Sequence, residues 1–387
     1  MRVLIISTEF PPGPGGIGTH AWELARGLHA RAWHVCVAAP LDYATADEVA
    51  RFKSALPFRL LDLRAFGVGL RASARSLFAL RRLINEYSPD ILIASGTGAV
   101  LRAAMLSLRS PVPFVAIGHA GEFKMGGVLL RSMLRWAVRR AVSVIAVSTF
   151  TAQLMKAEDF VDALPTVIHN GASLPQGIHQ SVIDDLRDRH TLGSRRILLT
   201  IGNVTERKGQ DLVIHALPAI KAGIPEILYV VAGLPTDAPR LQDLAVSLGV
   251  ADAVRLVGRV STKELTALLT MSEVFLLTSR QSSTGDVEGY GIAALEAQLA
   301  GIPVVVTDVG GLPEAVDHGR SGFVVPSEDP AAIADAVMRI MIEPGMHERL
   351  HQGALSFSAD KTWAHRVEQY DTHLRFTIGS PAGEVSV

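Results

Sequence analysis

Short apolar runs rich in Val, Ile and Leu alternate along this chain with longer segments of helical period. In the first half the runs are VLIIS (3–7), HVCVAA (34–39), ILIAS (91–95), PFVAI (113–117) and SVIAVS (143–148), and they predict strands. Between them, 17–31, 71–87 and 97–109 predict helices. Residues 171–194 break the rhythm with Gly171, Pro175, Gly177 and Gly193 and predict a linker. The alternation restarts with ILLTIG (197–202), ILYVVAG (227–233), VRLVG (254–258), VFLLTS (274–279) and PVVVT (303–307). Strands alternating with helices predict α/β architecture, here two doubly wound domains of similar size. Ligands of such sheets bind beyond the carboxyl ends of the strands, so two facing domains predict a binding cleft.

A length of 387 residues agrees with two domains, and 48% apolar against 19% charged residues excludes a disordered chain. The net charge of -1 conceals an asymmetry: residues 1–170 carry 19 Lys+Arg against 12 Asp+Glu, and the remainder 18 against 26. A basic first half suits an anionic partner such as a membrane surface or a phosphorylated acceptor; ordinary variation between solvated faces is the alternative. Cys36 is the single cysteine, which rules out an intrachain disulfide and fits a reducing compartment. The opening MRVLIIST is too short an apolar run for a signal peptide, and no run approaches the roughly 20 residues of a membrane span. A cytoplasmic location is expected.

Three loops carry residues suited to a diphosphate. In TEFPPGPGGIGTH (8–20), Gly13, Gly15 and Gly18 satisfy G-x-G-x-x-G, and Asp42 follows the second strand. That fingerprint of nicotinamide binding needs a tight turn, whereas about six residues, stiffened by prolines, separate the strand from Gly13. The Gly15-Gly16 pair before a helix still predicts a phosphate seat, because bare N–H groups point out of a positive helix end. In TIGNVTERKGQD (200–211), Arg207 and Lys208 stand between a strand and a helix, where a guanidinium fork and an ammonium suit phosphate oxygens. In EGYGIAALEAQLAGIPVVVTDVGG (288–311), Glu288 lies in a Gly-rich turn, and Glu296 falls about two turns into the helix that Ile292 or Ala293 begins. Two acceptor-only carboxylates suit sugar and ribose hydroxyls. As an isolated pair they are better described as a surface Glu and a helix-solubilising Glu.

Together these segments resemble the retaining glycosyltransferases of family 4, the group 1 glycosyltransferases. Their GT-B fold sets two doubly wound Rossmann-like parallel-sheet domains facing across a cleft. The resemblance runs over essentially the whole chain, through GGIGTH, VSTFTA (147–152), HNG (169–171), ERKGQD (206–211), VGRVS (257–261), EGYGIAALEA (288–297), AGIPVV (300–305) and GGLPEAV (310–316). The spacing of Glu288 and Glu296 reproduces the family's E-x7-E signature. The resemblance implies an acceptor-binding domain over 1–175 and a nucleotide-sugar domain over 190–358. It also implies a closing helix over 359–376, carrying Trp363 and Tyr370, that crosses back to the first domain.

The resemblance also implies roles. Glu296 binds the donor ribose and Glu288 the hydroxyls of the donor sugar. The turns at Gly15-Gly16 and Gly291, with the amides of Ile292 and Ala293, cradle the diphosphate that Arg207 and Lys208 neutralise. Val260 meets the base through its main chain, and His119 in GHAGEF (118–123) supports charge at the reacting carbon. Asn203 stands beside the donor where the family often has Arg, one cation fewer. The implied donor is a UDP-hexose, and the acceptor a glycan, a lipid-linked sugar or a small molecule in polysaccharide or glycoconjugate assembly. No metal, cofactor or nucleic acid is expected. The anomeric configuration is retained by a front-face route in which the leaving phosphate helps deprotonate the acceptor.

Other motifs compete. HERLH (347–351) matches the zinc-protease motif H-E-x-x-H without a further ligand in view, and Asp286 and Glu288 form a weak metal-type acidic pair. Glu122, three residues beyond His119, is a second candidate for acceptor contact. In VLLRSMLRWAVRRAV (128–142), Arg131, Arg135 and Arg139 make a basic stripe opposite apolar residues, suited to an anionic membrane or to a solvated face. Leu77, Phe78 and Leu80 beside Arg81 and Arg82 pose the same choice. Alternatives to the transferase are a GT-B epimerase or hydrolase of nucleotide-sugars, an NAD-dependent oxidoreductase, and a silent nucleotide-sugar-binding module.

Overall fold

A computed structural model describes residues 1–13, 15–41, 45–63, 70–174 and 179–379. Pro14, Asp42, Pro175 and Gly177 lie outside the described residues. The chain forms two compact units, Met1–Asn170 with Trp363–Val387, and Gly171–Thr362.

The first unit is built on a seven-stranded sheet of β1 (Arg2–Ser7), β2 (His34–Ala39), β3 (Arg59–Asp62), β4 (Ile91–Ser95), β5 (Phe114–Gly118), β6 (Ser143–Ala146) and β7 (Thr166–Val167). Every pairing is parallel, in the order β3-β2-β1-β4-β5-β6-β7. The central strands are buried on both faces, which is why they read as continuous apolar runs. β3 and β7 are short edge strands with partly exposed residues, and no such run announces them. Helix Gly16–Ala30 buries Ala21, Leu24, Ala25 and Leu28 against this sheet. The last helix, Trp363–Gly379, joins the same core through Val367, Tyr370 and Leu374. It can approach closely because residue 27 is glycine: a Cβ there would stand 2.4 Å from Val367 Cγ2.

The second unit is built on a six-stranded sheet of β8 (Arg196–Ile201), β9 (Ile227–Ala232), β10 (Val254–Gly258), β11 (Ser272–Leu277), β12 (Val304–Thr307) and β13 (Gly322–Val325). It is again parallel, in the order β10-β9-β8-β11-β12-β13, with apolar clusters on its two faces. The stretch expected to be a linker contains the helix Gln180–Arg189, whose Leu186 is fully buried with Ala267, Leu268 and Leu269. Its three apolar positions, Val182, Ile183 and Leu186, lie among charges and make too thin a stripe to stand out in the sequence. In both sheets the strand order reverses at the middle, between β1 and β4 and between β8 and β11. Those switch points open the crevices where doubly wound sheets bind ligands.

Candidate functional site

At the switch point of the second unit, β8 leads into the 3-10 turn Glu206–Lys208 and then helix Gln210–Gly223. The turn is tied to the exit of β11: Arg280 N–H donates to the Arg207 carbonyl at 2.8 Å, and Thr278 Oγ1 to the Gly209 carbonyl at 2.8 Å. Only glycine serves at 209, where φ is 64° and a Cβ would stand 2.0 Å from the Thr278 oxygen. This junction carries Arg207 and Lys208 to Glu288. One carboxylate oxygen of Glu288 accepts from Arg207 Nη1 at 2.5 Å, from Lys208 Nζ at 2.7 Å and from Ser279 Oγ at 3.4 Å. Arg207 Nε also pairs with Asp286 at 3.0 Å, so both members of the suspected acidic metal pair face a guanidinium.

Burial alone would raise the Glu288 carboxyl, but Lys208 and Arg207 outweigh it and hold its pKa at about 2. Burial draws the Lys208 ammonium below its usual value against the pull of Glu288. The candidate sugar-binding acid and the two candidate phosphate-binding cations, about eighty residues apart in the chain, are thus one ion cluster.

Gly291 precedes helix Ile292–Leu299, whose first amides include those of Ile292 and Ala293. Because the helix starts at Ile292, Glu296 lies one turn in rather than two; it is half-buried and four residues from Ile292 on the same face. Val260 is half-buried between β10 and helix Thr262–Met271, which begins in a capping box of Ser261 and Glu264. Asn203, where an arginine was missed, has a structural partner: its side-chain oxygen accepts the Leu234 N–H at 3.2 Å.

In the first unit, His119 follows β5, and its Nε2 shares a 2.8 Å hydrogen bond with Ser95 Oγ at the end of β4. The next residue, Ala120, is fully buried in a strained turn with φ 83° and ψ -65°, a conformation that costs on the order of 1–3 kcal/mol. Glu122 steadies it by accepting the His119 N–H at 2.8 Å, so this carboxylate turns back onto its own backbone. The edge of His119 meets His20 at 5.2 Å between ring centroids, and His20 bonds Tyr370 Oη at 2.9 Å beside Trp363. Burial pushes the His119 pKa down to about 4, so the ring is neutral at pH 7. Ser95 and Ser279 had no sequence signal, and His20 stood only as the last residue of GGIGTH, without a role of its own; their partners are remote in sequence.

The N-terminus of helix Gly16–Ala30 already has an anion. The Glu9 carboxylate accepts the Gly18 N–H at 3.3 Å, in the seat expected to take phosphate at Gly15-Gly16. The loop from β1 to this helix runs from Thr8 to Gly15, too long for the dinucleotide turn. In HERLH, His347 bonds the Glu273 carbonyl at 3.0 Å and His351 the Gly301 carbonyl at 2.6 Å, both structural contacts. Among the described residues no group of three or more His, Cys, Asp or Glu stands close enough to hold a metal ion.

Residues 14–174 match the Glycosyltransferase Family 4 family and residues 182–356 the family of Glycosyl transferases group 1. A GDP-mannose-dependent alpha-(1-6)-phosphatidylinositol monomannoside mannosyltransferase of Mycobacterium tuberculosis is 31% identical over 351 residues, covering 88% of this chain and 89% of the relative. A glycogen synthase of the same organism is 29% identical over 393 residues, covering 94% and 92%. The solved structure of Anabaena HepE in complex with UDP and glucose superimposes with a TM-score of 0.80 over 97% of this chain and all of that one. At 21% identity that likeness concerns the fold. With two Rossmann-ordered parallel sheets, each half matched to a glycosyltransferase family and a relative alike over most of its length, this chain belongs to the group 1 glycosyltransferases, sugar-transferring enzymes of GT-B fold.

Proposed function

We propose that this enzyme transfers a hexose, with retention at the anomeric carbon, from a nucleoside diphosphate sugar to a hydroxyl of a glycan or lipid-linked acceptor. The reaction needs no metal ion. The observation that carries this proposal is the cluster of Arg207, Lys208 and Glu288 at the β8/β11 switch point, next to the helix that Ile292 begins. As the glycosidic bond breaks, negative charge gathers on the departing diphosphate. Two fixed cations and the amides of Ile292 and Ala293 stabilise that charge more than they stabilise the bound donor. A phosphate oxygen takes the acceptor's proton while the acceptor oxygen bonds the anomeric carbon on the face that the phosphate leaves. Glu288, ionised at every physiological pH, accepts from sugar hydroxyls. Glu296 accepts from the ribose.

The relative alike over 88% of this chain uses GDP-mannose, which supports that donor ahead of the UDP-hexose expected from the sequence. UDP-glucose is the second donor to try.

The two glutamates test the assignment. Ribose is present before, during and after transfer, so Glu296→Ala weakens free nucleotide and donor alike. Charge at the anomeric carbon appears only in the transition state, so Glu288→Ala lowers kcat sharply and leaves free nucleotide binding nearly intact. Calorimetric titration and initial rates on variants shown to be folded separate the two. Wild-type turnover in Glu288→Ala, or equal loss of nucleotide in both variants, refutes these roles.

A further inference from the structure

The helix Val128–Val138 has three faces. Leu134, Ala137 and Val138 are buried. The arginine stripe forms a second face, and it is already neutralised. Arg131 pairs with Glu158, while Arg135 pairs with Asp159 at 3.6 Å and also bonds the carbonyls of Glu158 and Asp159. Arg139 reaches Asp159 at 3.0 Å and Asp162 at 3.3 Å. The stripe, whose spacing suited either an anionic membrane or a solvated face, is therefore engaged by an acidic segment of its own unit. The third face is the one in water, and it is apolar: Val128 is 87% exposed, Leu129 75%, Met133 46% and Trp136 41%. Monomeric proteins rarely leave four large apolar side chains together on one helix.

What surrounds this face identifies its partner. Residues 97–142 carry seven Lys and Arg against a single Glu, and that Glu122 is turned onto the backbone of His119. Four of the cations, Arg102, Arg109, Lys124 and Arg140, form no ion pair among the described residues; Arg102 is used within the fold, bonding the Gly98 carbonyl at 2.9 Å, which leaves Arg109, Lys124 and Arg140. Arg140 stacks on the Trp136 ring at 5.5 Å and bonds Ser107 Oγ at 3.4 Å, joining the apolar face to the end of helix Thr97–Ser107. Beyond that end Leu108 is exposed beside Arg109. Aliphatic tips, an indole under a guanidinium and unpaired cations without a competing acid are what an anionic lipid surface requires. The side chains enter the acyl boundary, the indole lies at headgroup depth, and the cations meet phosphate. A protein partner with an apolar groove would not need the cations.

We propose that the face Val128–Leu129–Met133–Trp136, flanked by Arg109, Lys124 and Arg140, docks this enzyme on the surface of an anionic bilayer. The helix lies in the plane of the interface, and the Arg131–Arg135–Arg139 stripe serves folding rather than lipid binding. This holds whichever donor is used.

Co-sedimentation of the full chain with phosphatidylcholine vesicles, with and without phosphatidylglycerol, tests it. The wild type should partition onto the anionic vesicles and be released by salt, which screens the attraction. Leu129→Asp with Met133→Asp, at exposed positions that leave folding intact, should lower partitioning by roughly 10-fold or more. Arg109→Ser, Lys124→Ser and Arg140→Ser together should lower it about 100-fold, at ~5-fold per cation. Arg131→Ala with Arg135→Ala should lower the melting temperature, while the fraction that remains folded still partitions. The proposal is overturned if the wild type ignores anionic vesicles at low salt. It is also overturned if the Arg131/Arg135 variant loses binding with its melting unchanged. A third refutation is a wild-type dimer that Leu129→Asp dissociates in the absence of lipid, which would make the occupant a second copy of this chain.

Discussion

Replacing Glu288 by Gln removes one charge from a cluster of four and keeps its shape. The carboxyl titrates at about 2 where its ordinary value is 4.5. At about 1.4 kcal/mol per unit, its ionised form contributes about 3 kcal/mol to stability at neutral pH. A second route agrees, since removing one partner of a buried pair costs about 3–5 kcal/mol by leaving the other charge uncompensated. Here the stranded groups are Arg207 and the Lys208 ammonium, which burial already disfavours. For a unit spanning Gly171–Thr362, 3 kcal/mol corresponds to a fall in Tm of about 6–12 °C.

All four tryptophans, at 22, 33, 136 and 363, belong to the other unit, so their fluorescence would miss this transition and scanning calorimetry of the full chain is the suitable assay. The pH dependence carries a definite sign. A depressed folded pKa gives stability that is complete above 4.5 and is lost as pH falls toward 2. The gap between wild type and Glu288→Gln should therefore shrink by roughly 1 kcal/mol between pH 7 and about pH 3.5. A gap that stays constant over that range, or a variant as stable as the wild type, would refute the cluster as the source of the shift.

Two further outcomes bear on the donor. Arg207→Ala or Lys208→Ala should weaken a nucleoside diphosphate by about 10- to 100-fold more than the free nucleoside, the worth of a charge-assisted hydrogen bond of about 1.5–3 kcal/mol; calorimetric titration showing equal losses would place both residues away from phosphate. Donor turnover should persist in EDTA, and complete loss restored by manganese would overturn the metal-free mechanism.

Much of the fold was legible because parallel strands buried on both faces must be continuously apolar, and β1, β2, β4, β5, β8 and β9 are. The edge strands β3, β7 and β13 were not, for they are short and have fewer neighbours to satisfy. The same limit hid the helix Gln180–Arg189, whose burial rests on Leu186 and two neighbours. Family membership was legible because the motif series is co-linear over nearly the whole length, and Arg207, Lys208, Glu288 and Glu296 were each picked out by type and position.

Composition and order along the chain thus determined the architecture and the list of reactive side chains. Which of those side chains meet was decided only by folding. Glu288 is some eighty residues from Arg207 and Lys208, and they join because β8 and β11 are neighbours in the sheet while β9 and β10 lie outside them. Glu9 takes the helix end at Gly15-Gly16 because its carboxylate is tethered there, and a local anion outcompetes an expected one until displaced. The arginines of Val128–Val138 show the same division. Their spacing guaranteed one charged face, but helical period is blind to what stands opposite: Glu158, Asp159 and Asp162 neutralise that face, and the apolar one is left in water.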